Sequence, residues 1–120
     1  MNIKTVAALK AAGVDTEGAL NRFCGNTALY ERFLLKFPED GNFGLIAPAL
    51  AAGDLDAVLR AAHTLKGVSG NLGLTRLYGA CSETVALIRA GDGQAAAASY
   101  GALSAAYMEV CAALSQAEEA

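Results

Sequence analysis

The stretch GDLDAVLRAAHTLKGVSGNLG, Gly53 to Gly73, decides how this 120-residue chain folds. It opens on Gly53-Asp54, a pair suited to ending one helix and capping the next. Apolar residues then recur at helical spacing. At about 100° per residue, Leu55, Val58, Leu59, Ala62, Leu65, Ser69 and Leu72 share one arc, which is expected to face a core. His63, the only histidine in the chain, projects from the edge of that arc, about 100° from its centre. Lys66 and Gly67 are its i+3 and i+4 neighbours, and Gly70 lies a further turn along. A core histidine would stand nearer Leu59 and Ala62, so the spacing predicts an exposed imidazole with bare backbone beside it. Glycine inside a helix is about 1 kcal/mol worse than alanine, so Gly67, Gly70 and Gly73 together forfeit about 2–3 kcal/mol of propensity. A helix that gives this up beside its one imidazole points to a surface kept clear for a partner. Ser69 falls on the core stripe as a small packing residue, and Gly73 also suits the end of the helix.

Outward from this helix, Gly91-Asp92 repeats the Gly53-Asp54 device, and the two pairs bracket helices near 54–72 and 75–90. An Ala-rich helix follows from about Gln94 to Leu114. Upstream, a short helix over Ile3–Ala12 is closed by Gly13. Asp15 or Thr16 can cap the next turn, and Asn26 can cap a longer helix ending at Phe37-Pro38. Another helix is expected between Asp40 and Ala52, with Pro48 kinking it or marking a late start. No stretch alternates like a strand, and connections this short favour antiparallel neighbours. The expected fold is all-α: an up-down antiparallel four-helix bundle with additional short N-terminal helices, one domain over residues 1–120. Tyr30, Phe33, Phe37, Tyr78, Tyr100 and Tyr107 read as core and rim residues.

Composition narrows the function. Over half the residues are apolar, but no apolar run approaches the length that spans a bilayer. The short apolar stretch of Ile3 and Val6–Leu9, beside Lys4 and Lys10, is too brief for a signal-peptide core, so a cytoplasmic module is expected. A net charge of −3 offers no electrostatic footprint for nucleic acid. The three cysteines, Cys24, Cys81 and Cys111, form no CxxC and no metal site of usual spacing with one histidine, and read as reduced, mostly buried thiols. There is no GxxxxGK[ST] or GxGxxG loop, so any phosphoryl group must come from another protein.

His63, Leu65, Lys66, Gly67, Ser69 and Gly73 match the pattern His-x-Leu-Lys-Gly, with a small residue two positions after that glycine and another glycine six after it. Ala52-Gly53-Asp54, Ala61-Ala62, Gly25-Asn26, Leu29-Tyr30, Phe33 and Phe37 extend the likeness. On these residues the chain resembles the histidine-containing phosphotransfer (HPt) domain family, most specifically over 53–73 and more loosely over 13–115. The resemblance implies a phosphorelay intermediary: His63 accepts a phosphoryl group from a receiver-domain aspartate and passes it to another. The partners implied are receiver domains of response regulators or hybrid histidine kinases. They supply the aspartate, a lysine and the Mg²⁺, with no cofactor on this chain. The module is expected to act as a monomer and as a carrier rather than an enzyme.

The chemistry fits the placement. Ordinary imidazole has a pKa of about 6.5, so at neutral pH it is mostly neutral and nucleophilic. Phosphoryl transfer through a loose transition state asks chiefly for positioning and charge neutralisation. Lys66 can supply the charge. Gly67 and Gly70 can give the partner clearance, although Gly67 would equally permit close helix packing. Arg60, at i−3, is either a docking contact or a free surface charge. Histidine-kinase dimerisation domains instead follow their histidine with an acidic residue and soon a proline. Here Thr64 follows, and no proline occurs after Pro48. The phosphoacceptor domain of chemotaxis kinases shares His-x-x-Lys-Gly, and a helical adaptor that binds receivers without carrying phosphate is the alternative from another class.

Overall fold

The structure, a computed structural model, describes residues 3–119, with side chains described for 6–116; Met1, Asn2 and Ala120 of the expected 1–120 domain lie outside. It is all-α. Three short helices, α1 (Ile3–Ala11), α2 (Thr16–Arg22) and α3 (Thr27–Lys36), lead through a 3₁₀ turn at Phe37–Glu39 into α4 (Asn42–Ala51), α5 (Leu55–Leu72), α6 (Thr75–Arg89) and α7 (Gly93–Glu119). The last four pack in sequence order, α4 on α5, α5 on α6 and α6 on α7, while α1 lies along α7.

The punctuation works as the residues dictate. Gly53 and Gly91 both take the left-handed backbone, with φ of 70° and 80°. The carboxylates of Asp54 and Asp92 then accept from the Ala57 and Ala95 amides. Asp15, not Thr16, caps α2, and Asn26 caps α3. These side chains satisfy amides that the first helical turn leaves without partners.

Three expectations need correction. First, Pro48 does not mark a late start: α4 begins at Asn42 and runs through it. The missing amide of Pro48 strands the Gly44 carbonyl, but both residues are exposed, so water can serve it. Second, α7 continues past Leu114 to Glu119. Third, Cys24 is an exposed thiol, sitting at φ 55° in the α2–α3 turn; Cys81 is buried and Cys111 partly so, and all three are free.

The core runs between α4, α5, α6 and α7, with Ile46, Val58, Leu65, Leu77, Leu103 and Val110 almost wholly buried. On α5 the buried residues are Val58, Ala61, Ala62, Leu65, Ser69 and Leu72, while Leu55 and Leu59 are only partly covered. The stripe is therefore rotated toward Ala61, and by helical periodicity its centre lies about 150° from His63. The histidine faces outward more squarely than the spacing alone implied. Phe43 stacks on Tyr107 with ring centres 3.9 Å apart, fastening α4 to α7.

The C-terminal end of α5 is held from outside. Gly73 turns left-handed at φ 74°, and a Cβ there would collide with the Asp15 carbonyl. The Asp15 amide donates to the Gly73 carbonyl at 2.7 Å, and the Thr75 amide donates to the Gly13 carbonyl at 3.1 Å. The Tyr30 hydroxyl donates to the buried Leu72 carbonyl at 2.8 Å, and Arg22 Nε to the Asn71 carbonyl at 3.3 Å. Helices α2 and α3 thus fill the positions that a helix C-terminus leaves open.

Burial pushes the Tyr30 hydroxyl from 10.0 up to about 12, with Arg22 opposing the rise and Asp15 adding to it. Above pH 10 the unfolded chain releases this proton while the folded chain keeps it, so stability falls as pH rises from about 10 to 12. Tyr30→Phe is expected to lower stability by about 1–2 kcal/mol in urea unfolding at neutral pH, because the Leu72 carbonyl loses its donor. The same substitution should make the alkaline loss shallower. An unchanged urea midpoint would show that this bond does not hold α5.

Candidate functional site

His63 lies mid-way along α5 and is exposed. Among the described residues its ring has no hydrogen-bond or ion-pair partner. Thr64, next in the chain, turns its hydroxyl back to donate to the Arg60 carbonyl at 2.9 Å, so it competes for nothing at the ring. Arg60 is itself exposed, one turn before the histidine.

The two flanks of His63 differ. By helical periodicity, Gly67 lies on one side of its line along the helix, and Lys66 and Gly70 lie on the other. A Cβ built on Gly67 would meet nothing within 4 Å, so this backbone is open to solvent. The ordinary use of a helical glycine, to admit a neighbouring helix, does not apply here. A Cβ on Gly70 would instead stand 3.3 Å from the Tyr78 ring of α6. The room that Gly70 leaves is taken by the protein's own side chain. Lys66 is partly buried, and its ammonium lies 5.7 Å from the centre of that same ring.

Ser69 is fully buried with its hydroxyl unpaired, and Gly73 ends the helix. Beyond Gly67, α5 borders a groove of about 700 Å³ lined by Phe33, Phe37, Val68 and Leu72, with Arg22 and Lys36 beside them. Phe33 is half exposed there. Of the residues singled out in the sequence, α5 therefore brings Arg60, His63 and Gly67 to one exposed stretch, with the partly buried Lys66 beside it. The sequence places Tyr78 only among the core and rim aromatics. Its link to Lys66 and Gly70 crosses between helices, where the periodicity of a single helix carries no signal.

The bundle thus presents one exposed imidazole, unpartnered among the described residues, beside open backbone at Gly67. The family model of the Hpt domain matches residues 28–120, and the chain belongs to the Hpt domain family. No curated protein and no solved structure matches it. Hpt domains are phosphotransfer carriers that exchange a phosphoryl group between histidine and receiver-domain aspartate, and they interact with receiver domains. The match begins inside α3, so α1 and α2 lie outside it. Among the described residues, no helix is long and apolar enough to cross a membrane.

The three glycines of the site helix should respond differently to alanine. Gly67→Ala, in open space at helical backbone, is expected to gain up to about 1 kcal/mol. Gly70→Ala should gain less, since the Tyr78 ring must give way. Gly73→Ala should lose at least about 2 kcal/mol, since it combines left-handed backbone with a collision. Thermal unfolding of the three variants checks the order, and a destabilised Gly67→Ala would contradict an open flank.

Proposed function

We propose that His63 is the phosphoacceptor of this Hpt domain, taking a phosphoryl group from one receiver aspartate and yielding it to another. What supports this is the position of the ring: exposed, unpartnered among the described residues, and one turn from open backbone at Gly67. In the forward step the ring nitrogen lone pair forms the N–P bond. The P–O bond of the acyl phosphate breaks, and its electrons leave with the aspartate carboxylate. The proton on the other ring nitrogen passes to solvent, and the reverse sequence discharges the carrier.

Lys66 offsets the negative charge of the phosphoryl oxygens, and Gly67 lets the receiver come close enough for in-line attack. Arg60 is a docking contact on the same exposed stretch. The receivers belong to response regulators or hybrid histidine kinases and bring the Mg²⁺. The carrier works in the cytoplasm as a monomer.

Incubation with a receiver domain carrying labelled aspartyl phosphate tests this reading. His63→Gln should abolish labelling, while its stability changes by less than about 0.5 kcal/mol, as expected of an exposed site. The adduct on the wild type should be acid-labile and comparatively base-stable, because protonating a phosphoramidate nitrogen makes it a good leaving group. Gly67→Gln should fold and accept poorly. Labelling retained in His63→Gln, or an acid-stable adduct, would overturn the assignment; receiver binding without any label would mark a phosphate-free adaptor.

A further inference from the structure

Tyr78 stands out among the side chains that the acceptor chemistry does not use. It sits on α6 and is 42% exposed, a poor place for an aromatic ring whose only task is core packing. Two contacts fix where the ring lies. Its edge lies against the bare backbone of Gly70, 3.3 Å from where a Cβ would stand, so α5 has a notch that receives it. The Lys66 ammonium stands 5.7 Å from its centre, within the range of a cation–π attraction.

The Lys66 charge reaches the buried Cys81 thiol, one turn along α6 from Tyr78, where it opposes the upward push of burial. With the Tyr78 ring of α6 beside it, the ammonium lies on the α6 side of α5, away from the flank that Gly67 leaves open.

The geometry points to Tyr78 as a positioning residue that, seated in the Gly70 notch, holds the Lys66 ammonium on the α6 flank of His63. A lysine on a free four-carbon stem must give up rotamer freedom each time it attends a phosphoryl group. A ring that already confines it removes part of that loss before the group arrives. The arrangement also divides the two sides of the histidine: the protein's own charge stands toward α6, and the approach over Gly67 stays clear. Gly70 then serves the site from within, as the seat of the ring. This inference rests on His63 being the acceptor.

The test needs no cognate partner. The protein is phosphorylated with phosphoramidate, and the phosphohistidine lifetime is followed by ³¹P NMR. Its breakdown passes through a loose, metaphosphate-like state in which the cation is less needed than in the dianionic ground state. Loss of positioning should therefore shorten the lifetime. Tyr78→Leu, which fills the notch without a ring, is expected to shorten it about two- to fivefold. Tyr78→Phe should restore it, and Tyr78→Leu should add nothing in a Lys66→Ala background. In the unphosphorylated protein, the Lys66 ε-methylene should show an upfield ring-current shift in wild type and Tyr78→Phe that Tyr78→Leu loses. A labelled protein whose lifetime ignores Tyr78→Leu, or falls equally with and without Lys66, overturns the positioning role. No label at His63 in the wild type overturns the acceptor reading instead, and this role with it.

Discussion

The buried hydrogen bond from the Tyr30 hydroxyl to the Leu72 carbonyl, 2.8 Å long, closes the end of the helix on which the site is built. A helix C-terminus leaves carbonyls that must find donors, and burying them unpaired is costly. Here the donors come from earlier in the chain: Tyr30 to Leu72, Arg22 to Asn71, and the Asp15 amide to Gly73. Gly73 makes the junction possible, because only a residue without a Cβ fits against the Asp15 carbonyl at positive φ. Helices α1 and α2 lie outside the span matched to the Hpt family. Yet the turn between them, Gly13 to Asp15, and α2 itself supply two of these three bonds. They hold the C-terminal end of α5, the helix that carries His63.

With α5 held at its end, its circumference divides by chemistry. One side carries Val58, Leu65 and Leu72 into the core. Opposite stands His63, between open backbone at Gly67 and the Tyr78 ring seated on Gly70. The helix accepts glycine at both positions despite the propensity lost there. At one the backbone is left open to solvent, and at the other there is room for a ring from α6. The buried, unpaired hydroxyl of Ser69 shows how tightly the inner side is closed.

Much of this was legible in the residues. The Gly-Asp pairs at 53–54 and 91–92 placed two helix junctions, because left-handed backbone and an amide-accepting side chain are local demands met by local residues. The exposure of His63 followed from spacing, although the stripe proved rotated toward Ala61. That rotation is set by how α4 and α6 close on the helix, which periodicity within α5 cannot report. Pro48 does not delay the start of α4, because its cost depends on whether the stranded carbonyl is buried, and here it meets solvent. Gly67 and Gly70 looked alike in sequence and differ only in what faces them. The Tyr30 clamp and the Lys66–Tyr78 contact join residues 42 and 12 positions apart, beyond any local pattern.

Because the chain has a single histidine, one spectrum can settle where the phosphoryl group goes. Protein labelled with ¹⁵N at histidine, charged by a phosphorylated receiver domain, should give one ³¹P signal with scalar coupling to one ring nitrogen of His63. A phosphorus signal without that coupling, or no protein-bound phosphorus at all, would contradict the account of α5 as a helix held so as to present its imidazole for phosphoryl transfer.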